Sequence, residues 1–104
     1  MHPLAEDPKL ELLRRHAERG DARAQRLLAL RYRRGRGVTR DWTEAARWMH
    51  GAAAQGLSLA QRDLAEFYQQ GIGVARDAAR ALELYRAAAA QGDPIARRRL
   101  ASFP

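Results

Sequence analysis

Apolar residues recur along the chain at helical spacing. Ala24, Leu28 and Tyr32 stand at i, i+4 and i+8, and Ala60, Leu64 and Tyr68 repeat that stripe. Such spacing puts one apolar face on one side of a helix. A second kind of stripe follows each of these, Ala45, Trp48 and Ala52 and then Ala81, Leu84 and Ala88. Between the two kinds lie Gly35-Arg36-Gly37 and Gly71-Ile72-Gly73, where glycine permits the positive φ that a chain reversal needs. Asp41 and Asp77 follow, each placed to accept the unsatisfied N–H groups of a new helix, and Asp41-Trp42-Thr43-Glu44 has the spacing of a capping box. The pattern predicts an all-α chain of antiparallel helix pairs.

The pairs are copies of one another. Gly20, Gly56 and Gly92 are 36 residues apart, as are Ala24, Ala60 and Ala96, and Leu28, Leu64 and Leu100. Residues 20–55 and 56–91 agree at 17 of 36 positions without a gap. A period in this range is the signature of a stacked array. The ends carry half units: residues 9–19 align with a second helix, with Leu10, Leu13 and Ala17 on one side. Residues 92–102 align with a first helix that opens on Pro94, a residue suited to the first helical turn. One domain over residues 1–104 is therefore expected: an N-terminal capping helix, repeats at 20–55 and 56–91, and a C-terminal half-repeat, or about six helices.

The run Ala24-x3-Leu28-x3-Tyr32-x2-Gly35-x-Gly37-Val38-x2-Asp41-x3-Ala45-x2-Trp48-x3-Ala52-Ala53-x2-Gly56 resembles the Sel1-like repeat, a relative of the tetratricopeptide repeat. The second copy, Ala60 to Gly92, matches too, with Leu84 where the pattern favours tryptophan. Ala29 and Ala65 stand where the family usually has glycine, and Gly51 replaces a frequent lysine. A glycine inside a helix costs about 0.5–1 kcal/mol relative to alanine. The resemblance implies a right-handed α-solenoid that acts as a protein-binding adaptor or scaffold through the concave surface lined by the first helices. It implies no cofactor and no catalysis.

The residues the repeat leaves free are the candidates for recognition. On the first helix, Arg23, Arg26, Leu30, Arg33 and Arg34 fall within about 100° of one another, away from the Ala24–Leu28 stripe. By resemblance to tetratricopeptide geometry this is the concave side. Their counterparts are Leu59, Arg62, Glu66, Gln69 and Gln70, then Ile95 and Arg98. Arg26, Arg62 and Arg98 recur at one repeat position, a predicted ladder of guanidinium groups suited to holding the carboxylates of an acidic peptide or chain terminus. A solvated charged face is the alternative reading of the same arginines. If the ladder is the site, charge reversal at Arg26 and Arg62 weakens partner binding without lowering thermal stability. Trp42, whose counterpart is Ala78, is either an exposed aromatic anchor or a side chain packed on the N-terminal helix or the loop. Leu27 is expected under the N-terminal helix, and Arg31, opposite Phe67, is expected to reach an acid such as Glu18.

Composition sharpens this picture in one place. Nineteen basic residues, all arginine but Lys9, against twelve acidic ones give +7. Seven arginines and no acid lie between Ala22 and Arg40, and elsewhere the charges balance. That patch makes nucleic-acid binding through residues 23–40 the alternative function. Tyr32 weighs against it, because it is a repeat core residue with a twin at Tyr68. The chain has no cysteine for a disulfide or thiolate metal site. His2, His16 and His50 share no repeat position or metal-ligand spacing, and they are expected at the surface. No continuous apolar run reaches the roughly 18–20 residues of a membrane span. No signal-peptide pattern opens the chain, so a cytoplasmic location is expected, although a mature exported chain would read the same. Exposed capping surfaces would also admit homo-oligomers.

Overall fold

The computed structural model describes residues 7–103. Among these residues there are six helices and no strand: α1 (Pro8–Glu18), α2 (Ala22–Arg34), α3 (Trp42–Ala54), α4 (Ser58–Gln70), α5 (Ala78–Ala90) and α6 (Pro94–Ala101). Each helix packs on its neighbours in the chain, α1 on α2 and so on to α6, in a rod with extents of 50 × 23 × 18 Å. This is an α-solenoid, in which contacts are made between adjacent units.

Local chemistry sets the boundaries. Aspartates cap the N-termini of five helices: Asp7, Asp21, Asp41, Asp77 and Asp93 each accept backbone N–H bonds. Leu57 stands at the sixth, α4, where no side-chain cap forms. Asp41 accepts from the Glu44 amide at 3.1 Å, but the box stays half closed. The Glu44 carboxylate turns to Arg47, 3.2 Å away, and the Asp41 amide donates to the Tyr32 carbonyl. That last bond closes the first loop, and Asp77 to Tyr68 closes the second at the same 2.9 Å.

Glycine ends α2 and α4 for a steric reason. Gly35 and Gly71 take φ of 70° and 74° and return their N–H groups to the preceding turn. Gly73, at φ 68°, has a further constraint, since a Cβ there would collide with the Trp42 carbonyl oxygen. The loop of one repeat thus lies directly on the start of the second helix of the repeat before it.

Alanine makes the helix contacts close. Ala29, Ala45, Ala46, Ala52, Ala53 and Ala60 surround Met49, Leu64 and Phe67 in the central cluster between α2, α3 and α4. Leu10, Ala17, Ala24 and Leu28 join α1 to α2, and Ala65, Ala81, Tyr85, Ala88 and Ala96 join α4, α5 and α6. The large buried side chains, Tyr85, Phe67, Leu10, Leu28, Met49 and Leu64, carry most of the apolar area withdrawn from water. Ala29 and Ala65 are fully buried, so the close approach that glycine would give is reached with a methyl group in place. Gly51 makes room for Gln25, whose Nε2 donates to the Ala17 carbonyl at the end of α1 and whose Oε1 accepts from Gln55.

Candidate protein-interaction groove

The first helices α2, α4 and α6 present equivalent positions one repeat apart, and charged side chains cross between them. Arg26 Nε donates to Asp63 Oδ2 at 2.7 Å, and Arg33 donates to Glu66 Oε1 at 2.7 Å. Arg62 donates to Asp93 Oδ2 at 3.3 Å and lies 3.6 Å from Asp63 Oδ1. These groups are half-buried, and Asp93 is almost fully so. Arg33 also lies over the Phe67 ring, 5.3 Å from its centroid. The guanidinium groups of Arg26, Arg33 and Arg62 are therefore engaged with the next first helix, each supplying charge-assisted hydrogen bonds across the stack. With these pairs in place, charge reversal at Arg26 and Arg62 is expected to lower stability as well as any binding. Sequence reasoning missed the three acids as partners. The signal was present, because Asp63 and Glu66 replace Leu27 and Leu30 at the repeat positions facing the first-repeat arginines.

Other members of the row remain open. Arg23, Arg34 and Arg98 are exposed and make no ion pair among the described residues. Leu59 and Ile95, register-mates one repeat apart, are 38% and 40% exposed. Leu30 is half-buried against the central cluster. Gln69 is held within the fold: its Oε1 accepts from the Tyr85 hydroxyl at 3.1 Å, and its backbone carbonyl accepts from Arg76. Burial, chiefly, raises the Tyr85 hydroxyl above its usual 10.

Trp42 is 45% exposed. Its indole Nε1–H donates to the Arg33 carbonyl at 3.2 Å, covering an acceptor that the end of α2 leaves unpaired, and the Arg40 guanidinium stacks over its ring. One edge is fixed by the fold and one face is open.

Three environments differ from the sequence expectation. Leu27 is 47% exposed, because α1 lies along the flank of α2 that carries Ala24 and Leu28. Arg31 points toward Asp7, 3.9 Å away, instead of Glu18. His50 is half-buried, with Nε2 2.8 Å from the Tyr68 hydroxyl and the two rings edge to face. Burial and then the charge of Arg80 lower its pKa below the ordinary 6.5. His16 is exposed, and His2 lies outside the described residues. No cluster of three metal-ligating side chains occurs among the described residues, and no helix is long and apolar enough to cross a membrane.

Stacked helix pairs, a 36-residue period and a face of repeat-independent side chains define an α-solenoid of the interaction type. The Sel1 repeat model matches residues 22–57 and 58–93, and the chain belongs to the Sel1 repeat family. Solved relatives agree. A Sel1 repeat protein from Oxalobacter formigenes is 44% identical with a TM-score of 0.87, over 89% of this chain and 70% of that one. A second, c5321, is a protective antigen present in uropathogenic Escherichia coli strains that displays an SLR fold. It is 40% identical with a TM-score of 0.86, over 90% of this chain but 20% of that one. Cysteine rich protein B of Helicobacter pylori, at 22% identity and a TM-score of 0.81 over 85% of this chain and 66% of that one, shares the fold. No match was found among curated proteins. Sel1 repeat proteins are generally non-catalytic scaffolds for protein–protein interaction.

Proposed function

We propose that this chain is a non-catalytic adaptor whose concave face, formed by α2, α4 and α6, binds an acidic peptide segment or chain terminus of a partner protein. One observation carries the reading. Unpaired arginines stand on α2 (Arg23 and Arg34) and α6 (Arg98), and an exposed apolar residue stands on each of the three first helices: Leu27 on α2, Leu59 on α4 and Ile95 on α6. Apolar contact with arginine nearby is the composition of interface anchors. Arg26, Arg33 and Arg62, already neutralised, line the groove and hold its shape.

The test maps the footprint of a pool of acidic peptides on the isotope-labelled chain by amide chemical shifts. Shifts gathered on α2, α4 and α6, weakened by Arg23→Glu with Arg98→Glu at unchanged melting temperature, support the groove. A footprint on the α3 and α5 side, or none, sinks it. Nucleic-acid binding through residues 23–40 is the competing outcome, and a steeply salt-dependent gel shift would favour it.

A further inference from the structure

The α2 helix is the first of the first-type helices, so among the described residues no helix of its kind lies on its outer flank. The two flanks of this helix type can be compared at equivalent positions. In α4 the outer-flank residues Asp63, Glu66 and Phe67 face α2, and they are covered: Phe67 is fully buried and both acids hold arginines from α2. In α2 the same three positions carry Leu27, Leu30 and Arg31. There they line a depression of about 120 Å³ completed by Arg34 and Arg36. Small-molecule pockets run to about 300–1,000 Å³, so this one has room for a single side chain.

Two of the three arginines of the depression are unanswered among the described residues. Arg34 and Arg36 have no ion-pair partner among the described residues, and the acid near Arg31 is Asp7 at 3.9 Å. Elsewhere in the groove Arg26, Arg33 and Arg62 each meet a carboxylate at 3.3 Å or less. The outer flank of α2 is thus the inverse of the outer flank of α4: leucine and arginine stand where α4 offers acid and aromatic. A complementary occupant supplies carboxylates and one apolar side chain. A phosphodiester chain would answer the arginines but leave the leucines uncovered.

We infer that the edge of α2 formed by Leu27, Leu30, Arg31, Arg34 and Arg36 is the anchor point for an acidic peptide of a partner protein, with one aliphatic side chain seated on Leu27 and Leu30 and flanking carboxylates on Arg34 and Arg36. This rests on the groove reading and places its strongest contact at the N-terminal edge.

The test uses fluorescence anisotropy with three labelled pentapeptides: Glu-Glu-Leu-Glu-Glu, Glu-Glu-Ser-Glu-Glu and Gln-Gln-Leu-Gln-Gln. The first is expected to bind the full chain, and each of the other two to bind about tenfold more weakly. Leu27→Ser and the pair Arg34→Ser with Arg36→Ser each weaken the first peptide about as much, and Leu27→Ser removes its advantage over the serine peptide. Leu59→Ser and Arg98→Ser, farther along the groove, weaken it less than Leu27→Ser does, and Arg86→Ser on the exposed side of α5 leaves it within about twofold. The reverse pattern, loss with Leu59→Ser or Arg98→Ser and none with Leu27→Ser, overturns the edge while leaving the groove reading intact. Absence of binding to the wild-type chain overturns the edge anchor, and the groove then rests on its own peptide-pool footprint. Equal binding of the leucine and serine peptides, with displacement by a thymidine oligonucleotide, would mark a charge-only surface and also overturn it.

Discussion

Arg26 donates to Asp63 across 2.7 Å and 37 positions of chain, and the same Asp63 lies 3.6 Å from Arg62. One carboxylate of the second repeat therefore holds two arginines, one from the first repeat and one on its own helix. Half-buried, charge-assisted pairs are worth more than exposed ones, and a double-mutant cycle on Arg26 and Asp63 is expected to return a coupling of about 1–2 kcal/mol. Asp63→Ala should destabilise more than Arg26→Ala, because it strips a partner from both arginines. Urea unfolding of the four proteins measures both quantities.

Gly51 gives a second expectation. Replacing a helix-interior glycine by alanine stabilises by about 0.5–1 kcal/mol where there is room. Here a new Cβ would meet Gln25 Oε1 at 3.0 Å and press on the bonds to Ala17 and Gln55. Gly51→Ala alone should therefore fall short of that gain. In a Gln25→Ala background the same change should deliver it in full, which thermal unfolding of the two pairs can show.

Gly56 and Gly73, both at positive φ, should separate cleanly. A Cβ at Gly56 meets nothing within 4 Å, so Gly56→Ala carries the left-handed backbone penalty of about 1–2 kcal/mol. Gly73→Ala adds a collision with the Trp42 carbonyl and should cost about 3 kcal/mol or more, with displacement of the α4–α5 loop from α3. Denaturant midpoints rank the two variants.

His50 predicts a pH dependence. Its folded pKa lies below 6.5, through burial first and Arg80 second, so the folded chain binds fewer protons there than the unfolded chain. The stability linked to neutral His50 is complete above about 6.5 and is lost as pH falls through the lowered folded value. His50→Gln, which can still pair with the Tyr68 hydroxyl, should flatten the fall of melting temperature between about pH 7 and 5. Equal slopes for the two proteins would show that the histidine does not drive it.

The helical pairs were legible because their causes are local. A stripe at i, i+4 and i+8, a glycine that must take positive φ, and an aspartate that caps are all properties of a few adjacent residues. The resemblance carried by those residues supplied the solenoid. Side-chain partners across the stack were not legible. Whether Arg26 faces solvent or Asp63 depends on the offset between two helices 36 residues apart, and helix phase alone leaves that offset undetermined. Leu27 shows the same limit, since the flank chosen by α1 decides its exposure. His50 met Tyr68 for a like reason: the two belong to neighbouring repeats and touch only once α3 and α4 are packed.

The cross-repeat pairs also make the array extendable. In every step an arginine of one first helix reaches forward to an acid of the next, from Arg26 to Asp63 and from Arg62 to Asp93. If residues 56–91 were duplicated in tandem, Arg62 would meet the copied Asp63, and the copied Arg62 would meet Asp93. The register of the pairs gives the rod a direction of growth, and the copied Glu66 would then face Gln69 where the first repeat supplies Arg33, the one pair that a longer scaffold would have to restore.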